Sequence, residues 1–150
     1  MAALVKRIKL LYSDFLAADT DSIAEVYAEN VVFSDPVHRI EGLANMQAYF
    51  AGVAQNLREC RFEFDQTLVD GNTVNLWWTM HYRHPRLSGG ALLQLRGASL
   101  LSLDLETDRV LTHEDIYDLG AMVYEQVPVL GAVLRYVKRG IAESGAQGGR

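Results

Sequence analysis

Val26-Tyr-Ala-Glu-Asn-Val-Val-Phe-Ser-Asp-Pro36 is the stretch in which the chain changes character. Val31 and Phe33 alternate with polar neighbours. Pro36 has no amide to give to a ladder and holds the residue before it extended, so Val31 to Asp35 reads as a short strand ending in a proline turn. Asp35 follows Val31 and Phe33 at a period of two, which aims its carboxylate to the same side as a phenyl ring. Two readings of Asp35 stay open. It is either a carboxylate sheltered on an apolar face, the setting that poises such a group for general-base work, or an exposed turn aspartate capping local amides.

Upstream, Leu4, Ile8, Leu11 and Phe15 recur every three or four residues, flanked by Val5, Tyr12 and Leu16, and predict a first helix that stops near Ala18. Asp19 and Thr20 can cap a second helix, with Ser22 and Glu25 supplying a capping box, with Ile23, Val26 and Tyr27 facing inward, and with its end by Asn30. Downstream, Gly42 opens a third helix with Met46, Phe50, Val53 and Leu57 on one face. The period then drops to two, and residues 59 to 118 read as antiparallel sheet. Four strands are expected there, Arg61 to Val69, Thr73 to His84, Ala91 to Leu103 and Val110 to Asp118, separated by Asp70-Gly71-Asn72, Ser88-Gly89-Gly90 and residues 104 to 108. Helices followed by sheet predict an α+β fold. Leu119 to Glu143 has a helical pattern whose second half begins at Pro128 and aligns Val129, Val133, Val137 and Ile141. We expect one domain over 1–143, with its core in 4–120, this helix appended over 119–143, and a flexible tail over 144–150.

Composition fits that reading. The chain has 150 residues, 49% hydrophobic and 22% charged, and a domain of this size buries roughly two-thirds of its unfolded surface. The net charge of −5 and the scattering of basic residues, apart from Lys6, Arg7, Lys9 and Arg135, Lys138, Arg139, argue against nucleic acid as a partner. No apolar run approaches the roughly 18 residues of a membrane span, and the N-terminus lacks a leader pattern. Cys60, the single cysteine, alternates with Phe62 and Phe64 and reads as a core thiol in a reducing compartment, which predicts a cytoplasmic protein. Phosphate-loop, dinucleotide, metalloprotease and nucleophile-elbow motifs are missing, so no cofactor is expected.

The remaining candidates are polar residues set in half-buried strands. His113, Asp115 and Tyr117 share one face of the last strand, and Thr112, Glu114, Ile116 and Asp118 the other. A same-face histidine and aspartate orient an imidazole or hold a proton; on a solvated face they are simply a polar pair. A metal would need a third ligand from His38, His81 or His84, and His81 and His84 fall on different faces, so no metal site is expected. Trp77 and Trp78 point oppositely, and Leu76, Trp78, Met80 and Tyr82 form the more pocket-like face. Ser99 is a hydroxyl in the apolar row Leu95, Gly97, Leu101, Leu103; buried, it needs a partner, either backbone or a ligand oxygen.

The order of elements, residues 26 to 36, Glu41-Gly42 opening a helix through Tyr49-Phe50, and the strand end Ile116-Tyr117-Asp118 together resemble the nuclear-transport-factor-2-like superfamily, particularly its SnoaL-like and ketosteroid-isomerase-like branches. The resemblance implies a cone, a curved antiparallel sheet wrapped around the N-terminal helices, with an apolar pocket and commonly a dimer packed through the sheet. It places Asp35 at the proton-shuttling aspartate of ketosteroid isomerases. Ungapped counting puts Leu11 at the oxyanion tyrosine, with Tyr12 one residue off, and Ser99 at the oxyanion aspartate, so both donors are replaced. Asp118 resembles an aspartate of limonene-epoxide hydrolases, but Arg83-His84-Pro85 lacks their Arg-x-Asp pair. SnoaL-like cyclases, which manage with a single acid/base residue, fit better. The expectation is a pocket for a hydrophobic small molecule. Asp35 and His113 would handle a proton, and Tyr27, Phe33, Phe50, Trp78, Met80, Tyr82, Ser99, Asp115 and Tyr117 would line the pocket. The reaction would be isomerase- or cyclase-type proton abstraction beside a carbonyl, with a non-catalytic ligand-binding or interaction module as the alternative.

Overall fold

The computed structural model describes residues 1–122 and 128–147. Helix α1 (Ala2–Ser13) buries the expected stripe, Leu4, Ile8, Leu11 and Tyr12. A 3-10 turn, Phe15–Ala17, then carries Phe15 into the same core. Helix α2 (Thr20–Ala24) is a short, capped unit: Asp19 accepts from the Ser22 amide, and the Ser22 hydroxyl accepts from the Asp19 amide. The capping box thus uses Asp19 and Ser22, and Glu25 takes no part in it.

The second helix ends earlier than its pattern suggests. Tyr27 is the first residue of strand β1 (Tyr27–Ser34), not the last turn of a helix. The Val110 amide donates to the Val26 carbonyl at 2.8 Å, so a long-range ladder claims a segment whose local preference is ambiguous. Strand β2 (Arg39–Glu41), unforeseen from the sequence, returns as a hairpin partner, with Phe33 opposite Ile40. Gly42 then adopts φ +87° and leads into helix α3 (Leu43–Asn56), which buries Met46 and Phe50.

Strands β3 (Glu59–Asp70), β4 (Thr73–Arg83), β5 (Leu93–Asp104) and β6 (Arg109–Tyr117) follow. The six-stranded sheet runs β2-β1-β6-β5-β4-β3. It is curved but mixed, because β1 lies parallel to β6 while every other pair is antiparallel. The expectation of a wholly antiparallel sheet is corrected at this one seam. Local alternation says that β1 is a strand but carries no information about which neighbour it finds.

One irregularity orients the last strand. Thr112 pairs with Ser102 and Val110 with Leu103, leaving Leu111 as an extra residue. That bulge brings Val110 and His113 to the same buried side, after which His113, Asp115 and Tyr117 alternate inward and Glu114 and Ile116 outward. Beyond β6, α4 (Leu119–Met122) precedes α5 (Pro128–Gln147). Helix α5 continues past Glu143, where a tail was expected; residues 148–150 lie outside the described residues, as does the side chain of Val129. Val133, Val137 and Ile141 are exposed on α5. Among the described residues, no helix is long and apolar enough to cross a membrane.

Candidate functional site

Asp35 sits where β1 meets the turn to β2. Its amide donates to the His38 carbonyl at 3.0 Å, and its Oδ1 accepts from the amides of Val37 at 2.8 Å and His38 at 2.6 Å. The turn-capping role is therefore real, yet the side chain is only 2% exposed. The two readings of Asp35 merge. Proline turns the chain, Oδ1 is spent on the turn, and the carboxylate lies against the wall of an interior cavity. His38 Nδ1, on a half-exposed ring, lies 3.2 Å from both carboxylate oxygens.

That cavity, about 90 Å³, lies between α1, α3 and the inner face of the sheet. Of the residues expected to line it, Asp35, Phe33, Trp78, Met80, Asp115 and Tyr117 reach the wall. The others stand one layer behind. Phe50 stacks on Phe15 at 4.3 Å between ring centres. The Tyr82 hydroxyl donates to the Met122 carbonyl at 2.8 Å and so ties α4 over the cavity edge. Burial pushes that phenol up to about 12. Tyr27, Ser99 and His113 belong to a chain of hydrogen bonds behind the wall.

The chain begins with a close approach that a glycine allows. A Cβ on Gly97 would lie 2.2 Å from Trp78 Cη2, so only glycine lets the indole lie flat across β5. From there the Trp78 Nε1–H donates to Ser99 Oγ at 2.9 Å, and the Ser99 hydroxyl donates to Asp115 Oδ1 at 2.5 Å. His113 Nε2 approaches the same oxygen at 2.7 Å, and His113 Nδ1 lies 2.8 Å from the Tyr27 hydroxyl, which is 2.5 Å from that of Tyr12. One proton arrangement satisfies every link: Tyr12 donates to Tyr27, Tyr27 donates to Nδ1, and Nε2–H donates to Asp115. Burial holds both phenols protonated, raising Tyr12 and Tyr27 well above the ordinary tyrosine value. Two donors thus converge on Oδ1, while Oδ2 of Asp115, a wall residue, has no hydrogen-bond partner among the described residues.

His113 itself is only 2% exposed, with both ring nitrogens engaged, Nδ1 with Tyr27 and Nε2 with Asp115, and it does not reach the cavity wall. Ser99, expected to find backbone or a ligand oxygen, bridges two side chains instead. The sequence reading missed Tyr12, Phe15, Tyr49 and Phe62 as wall residues. Tyr12 is one residue from the position that counting indicates, and the 3.6-residue period of α1 turns it, not Leu11, toward the cavity. Cys60 and Phe62 were visible as one apolar alternation; burial pushes the Cys60 thiol up to about 12, which keeps it unreactive. Tyr49 and Tyr117 are raised first by burial and then by the Asp35 carboxylate. Asp118 is not part of this site: it pairs with Lys138 of α5, which holds its carboxyl below the ordinary range. Among the described residues no cluster could hold a metal ion.

Solved structures share the fold. A SnoaL-like protein of Shewanella denitrificans, named as a polyketide cyclase, superposes with a TM-score of 0.70 at 19% identity, over 84% of this chain and 95% of that one. A Jannaschia protein of the same naming gives 0.71 at 15% identity, over 85% and 93%. A protein of Catenulispora acidiphila with a ketosteroid-isomerase-like fold, solved with trimethylamine, gives 0.70 at 12% identity, over 82% and 90%. No curated protein matches the chain significantly. The SnoaL-like domain family model matches residues 8–113, which include β1, the Asp35 turn and His113, and the chain therefore belongs to the SnoaL-like domain family.

Proposed function

We propose that the chain binds an apolar small molecule in the cavity between Asp35 and Asp115 and moves a proton on it, as an isomerase or cyclase does at a carbon beside a carbonyl. The observation that carries this reading is the asymmetry of Asp115, a residue of the aromatic wall: two donors fix Oδ1, and Oδ2 has no hydrogen-bond partner among the described residues. A carboxylate so placed is held in one orientation by Ser99 and His113 and lies within reach of a guest in the cavity, the positional condition for a general base. In the step envisaged, Oδ2 takes a proton from the carbon. The C–H electron pair moves into a new C=C bond, and the carbonyl oxygen takes up the charge. The phenols of Tyr49 and Tyr117, kept protonated by burial, supply hydrogen bonds to that oxygen. Asp35, the aspartate singled out from the sequence, is the second proton carrier across the cavity, and His113 positions Asp115. The polyketide-cyclase naming of structural neighbours supports this reaction class.

Solvent-deuterium exchange into small cyclic ketones and 1,3-diketones, followed by proton NMR, tests the step. Wild type should accelerate exchange, and Asp115→Asn should lose it by at least about 100-fold. If ketones bind wild type and Asp115→Asn alike and neither exchanges, the non-catalytic binding module replaces the enzyme. We also place the chain in the cytoplasm, given its single, buried thiol, and as a homodimer joined through the outer sheet face, where Trp77, Leu100 and Ile116 are exposed. Sedimentation equilibrium showing a monomer at high concentration would remove the dimer.

A further inference from the structure

Each carboxylate of the cavity wall has a histidine against it, and the two rings differ in what their far side meets. His113, beside Asp115, is buried with both nitrogens engaged. His38, beside Asp35, sets Nδ1 3.2 Å from each carboxylate oxygen, yet its side chain is 48% exposed and its Nε2 has no hydrogen-bond partner among the described residues. The turn does not need this ring. Asp35 Oδ1 already accepts from the amides of Val37 and His38, which caps the turn without any imidazole. The ring of Tyr49, a wall residue, packs beside the imidazole at 5.3 Å between ring centres and helps keep it at the carboxylate.

Asp35 is almost fully covered and lies on the cavity wall, so with a guest in place it has no direct route for a proton to or from water. An imidazole binds and releases protons near neutral pH, and it does so at two separate atoms. In His38 one of them meets the carboxylate, and the other, across a half-exposed ring, is left for water.

We infer that His38 is the proton gateway of the cavity, exchanging the proton carried by Asp35 with bulk water. It acts through Asp35 and does not touch the guest. This inference rests on the reading of Asp35 as a proton carrier and adds the group that loads and unloads it. On unloading, the Asp35 O–H bond breaks as Nδ1 takes the proton, and the imidazolium gives its Nε2 proton to water. That leaves the ring protonated on Nδ1, which is the form that reloads: Nδ1–H passes its proton to the carboxylate while Nε2 takes one from water. Each leg resets the ring for the other, and no further reactant is consumed.

The test follows solvent-deuterium exchange into cyclohexanone by proton NMR, using the full chain as wild type, His38→Ala and His38→Gln, with affinity for the ketone measured alongside by ligand-observed NMR. Both variants should bind cyclohexanone as wild type does and exchange it at least about tenfold more slowly. Added imidazole should restore exchange in His38→Ala, beyond anything it does for Asp115→Asn, and leave wild type unchanged. A ring that only held the turn would not be replaced by a diffusing one. Wild-type exchange rates in either variant overturn the inference and spare the proton-transfer reading, as does a loss in His38→Ala that imidazole does not recover. Should His38→Ala fail to fold, His38→Gln decides. It keeps an N–H toward Asp35 but cannot carry a proton to water, so a wild-type rate there overturns the inference, and the same loss at unchanged affinity upholds it. No exchange by wild type removes the reading and the inference together.

Discussion

His113 and His81 are sheltered to a similar degree, 2% and 7% exposed, on opposite faces of one sheet, and they could hardly be treated more differently by their surroundings. On the inner face both nitrogens of His113 are bonded, in a chain that ends at a carboxylate on the cavity wall. On the outer face neither nitrogen of His81 makes a hydrogen bond; Glu63 Oε1 lies 3.4 Å from Nε2 but out of line. The outer face is otherwise a mesh of exposed ion pairs, such as Arg96 with Asp65 beside the Trp77 ring. Burial alone therefore does not tell a histidine that is built into a hydrogen-bond network from one that is merely covered. What sets His113 apart is that both of its ring nitrogens have partners, so that removing the ring leaves Tyr27 and Asp115 Oδ1 each short of a bond.

The sharpest way to break this contrast is to delete each ring. His113→Leu strands both Tyr27 and the buried side of Asp115 and should cost about 3–4 kcal/mol in urea unfolding. His81→Leu removes two unsatisfied nitrogens and should cost under about 1 kcal/mol. Equal losses would show that the inner network is no more than ordinary burial. Next in size is Gly97→Ala, whose new methyl overlaps the Trp78 ring. We expect a loss of about 2–3 kcal/mol and a shift in tryptophan emission as the indole leaves Ser99. Tyr27→Phe interrupts the chain at one hydroxyl and should cost about 1–2 kcal/mol, with a change in the His113 ring-proton shifts that a purely apolar core position would not produce.

Two pH limbs sharpen the comparison further. On the inner face, Tyr12, Tyr27 and Tyr49 have native values raised above the ordinary 10.0. The unfolded chain then loses phenolic protons first, so stability is full below about pH 10 and falls as pH rises beyond it. Absorbance at 295 nm should show these three ionising only together with loss of structure. On the outer and peripheral surfaces Asp65, Asp108 and Asp118 are lowered from 3.8, by Arg96, Arg7 and Lys138 respectively. Their contribution is present above the ordinary aspartate value and lost as pH falls through the lowered native ones. Being exposed, these pairs are screened by salt, so raising ionic strength should shrink the acid limb and leave the alkaline limb in place. The smallest effect expected is that of Arg96→Ala, which should barely move the unfolding midpoint.

Much of this was legible before any coordinates. Period-two alternation placed Asp35 beside Phe33, and His113, Asp115 and Tyr117 on one face, because a strand's side-chain geometry is set residue by residue. Where the reading failed, the missing information was non-local. Tyr27 looked helical because Ala28, Glu29 and Asn30 carry no strand signal, and only the Val110 amide drew the segment into the sheet. Tyr12 was passed over as a wall residue because ungapped counting from Tyr27 points to Leu11, whereas the turn of α1 carries Tyr12 to the cavity.

The sequence by itself determined the class of fold, the inward faces of α1, α3 and β4, and the short list of polar residues set among apolar ones in the strands. These depend on periodicity and on the absence of motifs, both properties of neighbours along the chain. Only the tertiary structure decided that Asp115 rather than His113 meets the cavity, that Ser99 serves Asp115, and that Asp35 both caps a turn and lines the wall. Those outcomes turn on the parallel β1–β6 seam, the bulge at Leu111 and the approach of Trp78 to Gly97. Each is a contact between residues distant in sequence, and no local pattern encodes its partner.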